Sequence, residues 1–511
     1  MERPVPQVLR SGTARAALAA GLGALAVTMV QFRHGIVHLL DTVTYWSGAR
    51  AVADGEWFTT NLAPAFSNFE AGEFLARGGR LPFVDFPIGY PLVAGLLGAV
   101  IGVRGAMRLL VTLALVASAV LVVAADDRAR ESRWRAVATA GFGVLVVSLP
   151  ATRLVTQGAL SEPLFCATVL GLVVALVRHR RGGAWWTVVA LVVASSLFRF
   201  IGAPLAAVAA REHHMRHGAP GRAVGWGAAM MAPAAANIGL AALGGGGHNA
   251  GWRGLDRLDL EVFVRSIGGW FDSRQGDLRR TYFTGEGPAW WAWLVAAAWL
   301  ALLAWTVWCW LARRHRLPAS SELALVCAAV VTSGLVLGML GFDALVIADN
   351  RLMLPTGLLT LAALWWWAPI RATSSVVLAT WAAVAVAPWN VAESFRSYEG
   401  PLPMSVAAIE SGADVVITDN ADGVHWDTGV PAAYAPLPTK QLTGEAVDVE
   451  RLYGALPCQL LEANGVVVLS PDSTFFGADI GLLDREVERG RLALAADETA
   501  VVYSPTVIAC D

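Results

Sequence analysis

Three long apolar runs, AALAAGLGALAVTMVQF (16–32), RLLVTLALVASAVLVVAA (108–125) and AWLVAAAWLALLAWTVWCWLA (292–312), dictate most of what this chain can become. Wound as helices, such runs reach across a hydrocarbon layer of about 30 Å. That layer has no water to satisfy backbone N–H and C=O groups, so the runs must close their own hydrogen bonds as helices. The supply of charge agrees. Of 511 residues, 15% are charged and 56% hydrophobic, against roughly a quarter charged in soluble domains. The chain therefore reads as mainly α, a polytopic bundle of transmembrane helices. Its net charge of −2 gives no reason to expect a nucleic-acid partner. Nearly all the cations are Arg, with Lys440 the one Lys, so an Arg alone carries little functional weight. The first run reads as a retained span, because it exceeds a typical signal core and no clear small-x-small cleavage site follows it.

Hydrophobic patterning predicts eleven spans, near 14–38, 104–125, 135–153, 160–178, 184–198, 200–212, 223–245, 288–311, 321–345, 350–369 and 373–392. Residues 393–511 change character. The strand-like runs DVVITD, GVVVLS and TAVVYSP alternate there with polar helical stretches, as in a small water-exposed α/β domain. No internal repeat is visible. The apolar segment 88–103 is short for a span, and loop charge decides its status, since cytoplasmic loops are enriched in Arg. If it does not cross, DDRARESRWR (126–135), RHRR (178–181) and RRHR (313–316) share the inner side with Arg3, Arg10 and Arg15. The expected topology is thus N-terminus cytoplasmic and C-terminal domain extracytoplasmic. Residues 39–103 form a large first outer loop belonging to the membrane module 1–392, and a second outer loop, 246–287, holds six Arg residues.

On this topology the ionisable groups collect at outer helix ends. Asp41 ends the first span, Glu162 opens SEPLF, Arg199 sits between two short spans, and Asp343, Asp349 and Arg351 cluster before a late one. A charge costs several kcal/mol at mid-membrane and much less near the interface. Singly, each is an ordinary interfacial residue; together they describe a polar site open to lipid and water. A carboxylate can take a proton from an attacking hydroxyl. Arg can hold a phosphate by paired, charge-assisted hydrogen bonds. Group transfer from a lipid-linked phosphosugar needs both.

Four motifs carry a resemblance. Asp41 followed by xxxY at Tyr45, a long loop ending in VDFPIGYP (84–91), SEPLF (161–165) and NRLMLP (350–355) together resemble the GT-C superfamily. These are multi-spanning glycosyltransferases that use polyprenyl-phosphate sugars, some of them mannosyltransferases. The likeness covers roughly residues 10–370. VDFPIGYP departs from the family's Y-x-D-F-x-x-x-Y-P-P by Val84 for the first Tyr and Leu92 for the second Pro. The resemblance implies a catalytic base at Asp41 and a second acid at Glu162, which positions the acceptor or, in some members, a divalent cation; no other cofactor is implied. It implies donor-phosphate contacts from Arg351 and Arg199, with Arg274, Arg279 and Arg280 as auxiliaries. Tyr45, Asp85, Tyr90 and Asp349 complete the site, Asp85 reading first as structural. The implied donor is a polyprenyl-phosphate sugar within membrane lipid, mannose before arabinofuranose or another pentose. The implied acceptor is a cell-envelope glycan, a glycolipid or a secreted protein.

Other features have plainer readings. EHHMRH (212–217) has metal-ligand spacing but reads as a solvated basic loop. GGGGH (244–248) lacks the Lys and Ser/Thr of a phosphate-binding loop. WWWAP (365–369) and PAWWAW (288–293) fit interfacial aromatic belts. A lipid-linked sugar flippase or transporter is the rival class, but such proteins usually show repeated halves and mid-membrane sites, and neither is evident. Of five cysteines, Cys166, Cys309 and Cys327 fall in apolar spans and read as packing. Cys458 and Cys510 share the C-terminal domain, and its expected compartment permits a disulfide between them.

Overall fold

The computed structural model describes residues 7–33, 35–36, 40–63, 71–83, 86–243, 290–314, 316–341, 354–368, 402–436, 448–470, 479–496 and 500–506. Along the chain these form α1 (Gln7–Gln31), α2 (Leu40–Ala53), β1 (Thr59–Thr60), β2 (Leu62–Ala63), α3 (Ala71–Ala76), β3 (Leu81–Pro82), α4 (Gly89–Ile101) and α5 (Val103–Ala125). Next come α6 (Arg133–Ser148), α7 (Pro150–Gln157), α8 (Glu162–Arg180), α9 (Trp185–Phe198), α10 (Leu205–His217), α11 (Pro220–Leu243), α12 (Trp290–Leu311), α13 (Ala319–Gly341) and α14 (Leu354–Trp367). The C-terminal region supplies α15 (Pro403–Glu410), β4 (Val415–Thr418), α16 (Ala421–Thr428), β5 (Ala432–Tyr434), α17 (Val449–Glu462), β6 (Gly465–Leu469), α18 (Ile480–Glu488), β7 (Leu492–Ala496) and β8 (Val501–Pro505).

Two compact units result, one drawn from 1–36, 108–236 and 252–394, the other from 37–107, 237–251 and 395–511. The first is helical: α1 packs on α6, α8 on α9 and α13, and α13 on α12 and α14. Among the described residues five helical stretches are long and apolar enough to cross a membrane: Gly12–Gln31, Val103–Ala125, Glu162–Arg180, Trp293–Leu311 and Ala319–Leu337. Large apolar side chains such as Leu18, Leu22, Met29, Leu113 and Trp308 stand exposed on three of them, a surface that lipid, not water, accommodates. The chain is a multi-pass membrane protein. Two expected spans are interrupted or displaced. The segment 135–153 divides at Leu149 into α6 and α7, and 200–212 becomes a 3₁₀ turn, Phe200–Gly202, followed by α10. The expected span 373–392 lies outside the described residues.

Some charge counted as loop charge is core. Arg135 is fully buried in α6; its Nε donates to Asp126 Oδ2 at 2.7 Å, where the Thr139 hydroxyl also donates at 2.7 Å. Its guanidinium also donates to the Trp365 carbonyl. Trp365 and Trp366, expected in an aromatic belt, are buried; their indole N–H groups donate to Thr139 Oγ1 and the Val122 carbonyl. Only Trp367 of that run is exposed.

The second unit is α/β. Its six-stranded sheet runs β2-β5-β4-β6-β8-β7, with the first four parallel and β8 antiparallel to both of its neighbours, β6 and β7. Every residue of β4 and of β6 is buried, as expected where both faces of a parallel sheet are covered. One face carries Val415, Ile417, Val467 and Tyr503 against Phe74, Leu456 and Leu460. The other packs Val416, Val466 and Val468 against Met404, Ala408 and Val424. β2 comes from the first loop, so part of 39–103 is a strand of the C-terminal sheet. In the same unit α2 packs on α4. Gly95 permits this contact, since a Cβ there would collide with the Ala49 carbonyl. α4 has 13 residues, about 20 Å of helix, and Gly102, at φ +79°, turns the chain into α5. Cys458, on α17, is disulfide-bonded, whereas Cys166, Cys309 and Cys327 are free.

Candidate active site

The parallel sheet defines where polar groups gather in the second unit. From β4 the chain passes to β5 on one side and later to β6 on the other. Open α/β sheets bind ligands outside the carboxyl ends of strands at such a reversal. Asp419, Asn420 and Asp422 follow β4 directly, and Tyr434 ends β5. Asn420 caps α16, accepting from the Gly423 N–H at 3.1 Å. That cap turns the chain so that Asp422 lies in the first helical turn, 6% exposed, where the Tyr434 hydroxyl donates to its Oδ2 at 2.7 Å. Asp422 Oδ1 is buried without a hydrogen-bond partner among the described residues. Burial pushes this carboxyl up to about 7; the Tyr434 hydrogen bond opposes the shift, and the charge of Asp41 adds to it.

Asp41 belongs to the same unit. It does not end the first span: α1 stops at Gln31, and Asp41 stands in the first turn of α2, where the helix dipole favours a negative charge. One turn on, Tyr45 is fully buried, its ring 4.9 Å from Phe86 and 5.2 Å from Tyr90. The two tyrosines picked out by sequence thus form one aromatic cluster, joined by the Phe of the loop motif. Asp422 was missed. Its signal was present in VVITDNAD: polar residues directly after a buried parallel strand.

Below this cluster α2 is tied to α16. The His425 Nδ1–H donates to the Val430 carbonyl at 2.7 Å, so Nε2 accepts from the Ser47 hydroxyl at 3.0 Å. Ser47 Oγ in turn accepts from the Thr60 hydroxyl and the Asn61 N–H. Ser47 and His425 are buried and all these groups are engaged, so this is a structural tie, not a nucleophile and its base. Burial holds His425 down to about 4, the Val430 hydrogen bond opposing and the Arg50 charge assisting.

Asp422 and His425 set opposite pH dependences. Raised in the fold, Asp422 contributes stability that is lost as pH climbs from its unfolded value near 4 to about 7. Depressed in the fold, His425 loses stability as pH falls from about 6.5 to about 4. Across about pH 4.5–6.5 the two slopes nearly cancel, so the melting temperature of this unit is expected to be flat. Asp422→Asn removes one slope; stability should then drop on acidification, by up to about 3 kcal/mol near pH 4. Thermal unfolding of the full chain in detergent measures this, and an Asp422→Asn profile as flat as wild type would contradict it.

The first unit brings together two other predicted residues. Glu162, 1% exposed, opens α8, with Pro163 beside it to start the helix. Arg199 ends α9 in extended backbone, and its Nη1 lies 3.3 Å from Glu162 Oε1 and 3.4 Å from Ser161 Oγ. A carboxylate already facing a guanidinium does not suit a hard divalent cation, which wants several oxygen ligands. Asp85, Arg274, Arg279, Arg280, Asp349, Arg351 and Cys510 lie outside the described residues.

Known proteins offer limited comparison. No family model matches the chain, and no curated protein does. Among solved structures it is similar to the crystal structure of ArnT from Cupriavidus metallidurans bound to undecaprenyl phosphate. That match has a TM-score of 0.43 and 14% identity, and it covers 96% of this chain and 98% of that one.

Proposed function

We propose that this protein is an inverting GT-C-type glycosyltransferase. It moves a sugar from a polyprenyl-phosphate donor to a cell-envelope glycan, glycolipid or secreted protein on the outer face of the cell membrane. The observation that carries the reading is the setting of Asp41: the start of a helix, above a buried aromatic cluster and within electrostatic reach of Asp422. In the reaction Asp41 takes the acceptor hydroxyl proton. The acceptor oxygen attacks the anomeric carbon, and the bond to the phosphate oxygen breaks with inversion. The leaving polyprenyl phosphate needs a fixed cation, a role assigned to Arg351. Glu162 and Arg199 act as a mutually oriented pair, Glu162 positioning acceptor and Arg199 supporting the phosphate. Mannose is the first sugar to try and a pentose the second. Transfer of labelled sugar by the purified protein is the direct test.

Two further outcomes follow from this reading. Arg351→Ala should weaken donor binding, seen chiefly as a raised donor KM when binding is uniform between ground and transition states; an unchanged donor dependence would make Arg351 structural. The N-in, C-out topology is checked with single cysteines at Ser132 and Ser397 in a chain lacking the three free thiols. An impermeant thiol reagent on intact cells should label position 397 and spare 132. Labelling at 132 would put DDRARESRWR outside and remove the basis for an outer-face reaction.

A further inference from the structure

The segment EHHMRH is not a solvated loop. Its residues form the last turns of α10, where Glu212 and His213 are buried. His213 and His217, four apart, share one helix face. α8 ends with His179 against them. The ring centroids lie 4.5 Å apart for His213 and His217, 6.0 Å for His179 and His213, and 5.8 Å for His179 and His217. One nitrogen from each ring falls within 4.8 Å of the others.

Two of those rings carry a buried polar atom with no hydrogen-bond partner among the described residues. His179 is 1% exposed and His213 8% exposed, and His179 Nε2 and His213 Nδ1 are buried without hydrogen-bond partners. Leaving buried polar atoms unsatisfied is unfavourable, so a pair of them calls for an explanation. Water-filled packing is a poor one, because Trp185 lies over both rings, 4.5 Å from His213 and 5.0 Å from His179. His179 already has the support that ligating imidazoles use: its Nδ1 lies 3.4 Å from the Gly183 carbonyl, and a proton donated there leaves the Nε2 lone pair free. Arg216 competes for the same Nδ1 at 3.2 Å, on the ring edge away from Nε2.

We propose that His179, His213 and His217 bind one divalent transition-metal ion of the zinc class, clamping the end of α8 to the end of α10. The donor set is all imidazole. Glu212, the nearby acid, is bound bidentately by Arg180 and accepts from Trp310 Nε1. Three nitrogens with no carboxylate favour zinc, nickel or copper over calcium or magnesium. A tetrahedral zinc needs donor atoms about 3.3 Å apart for bonds of about 2.0 Å, so the rings need only close by rotation about their side-chain bonds. His217, exposed, gives the entry path and leaves a fourth position for water. The cluster lies at the opposite end of α8 from Glu162, about 25 Å away along the helix, so it is independent of the proposed glycosyl transfer.

The experiment uses full-length protein in detergent, carrying a histidine-free affinity tag, stripped with chelator and reloaded with zinc. The expected result is one zinc per chain by elemental analysis, with a rise in melting temperature. Cobalt in its place should give the visible absorption of a low-coordinate nitrogen site. His213→Gln with His217→Gln should abolish both the stoichiometry and the thermal shift, while His214→Gln, on the same helix but outside the trio, should keep them. Gel filtration checks that the variants stay monodisperse. Wild-type protein that holds no zinc after reloading overturns the proposal whatever the variants do, and so does zinc retained by the double variant.

Discussion

Asp41→Asn is expected to lower sugar transfer by at least about a hundredfold, the usual cost of losing a positioned general base, in a protein that still folds. The amide keeps the shape, removes the charge and exchanges one acceptor oxygen for a donor NH2. The fold tolerates that loss for two reasons. A first-turn acid contributes only about 0.3–1 kcal/mol to its helix, and removing the Asp41 charge relieves part of the strain on the buried Asp422 carboxyl. The aromatic contacts of Tyr45 with Phe86 and Tyr90 do not involve the carboxylate and should hold α2 in register. Near-normal transfer by purified Asp41→Asn would remove Asp41 from the chemistry.

The second large effect is expected from reducing the bridge proposed between Cys458 and Cys510. Cys458 is disulfide-bonded, and the three other described cysteines are free. α17, which carries it, packs on β6 and β8, and β8 is followed within five residues by Cys510. In the chain-entropy model, closing a loop of about fifty residues is worth roughly 4 kcal/mol. Non-reducing mass spectrometry should find this one bridge, and reduction should lower the melting temperature of the full chain. Free thiol at both positions would contradict the pairing and weaken the case for an oxidising compartment.

What was legible in the sequence follows the length and burial of each element. VVIT and GVVVL stand out because both faces of a parallel strand are covered, so every position is buried and all but Thr418 and Gly465 carry apolar side chains. β2 and β5 were invisible, since LA and AAY are too short to show a period and Ala has little strand preference. LALAA of β7 reads as helix by composition and becomes a strand by pairing with β8. Glu162 and Arg199 were each chosen alone from their places at helix ends; their pairing is a tertiary fact. Loop-charge counting treated Arg135 as one more inner-side cation, although its charge is spent on Asp126 in the core. The histidine cluster was missed for a related reason: His179 lies far in sequence from His213, and only the packing of α8 with α10 joins them.

The measurement that bears most directly on the central claim is sugar transfer by the purified full-length protein, in detergent or liposomes, from synthetic polyprenyl-phosphate sugars to an envelope glycan or glycolipid acceptor. An enzyme of the proposed kind releases polyprenyl phosphate and forms a product of opposite anomeric configuration to the donor, with turnover that collapses in Asp41→Asn. Movement of intact donor across the liposome membrane, with no glycosidic bond made from any sugar tried and no difference in Asp41→Asn, would contradict the account and identify a lipid-linked sugar transporter instead.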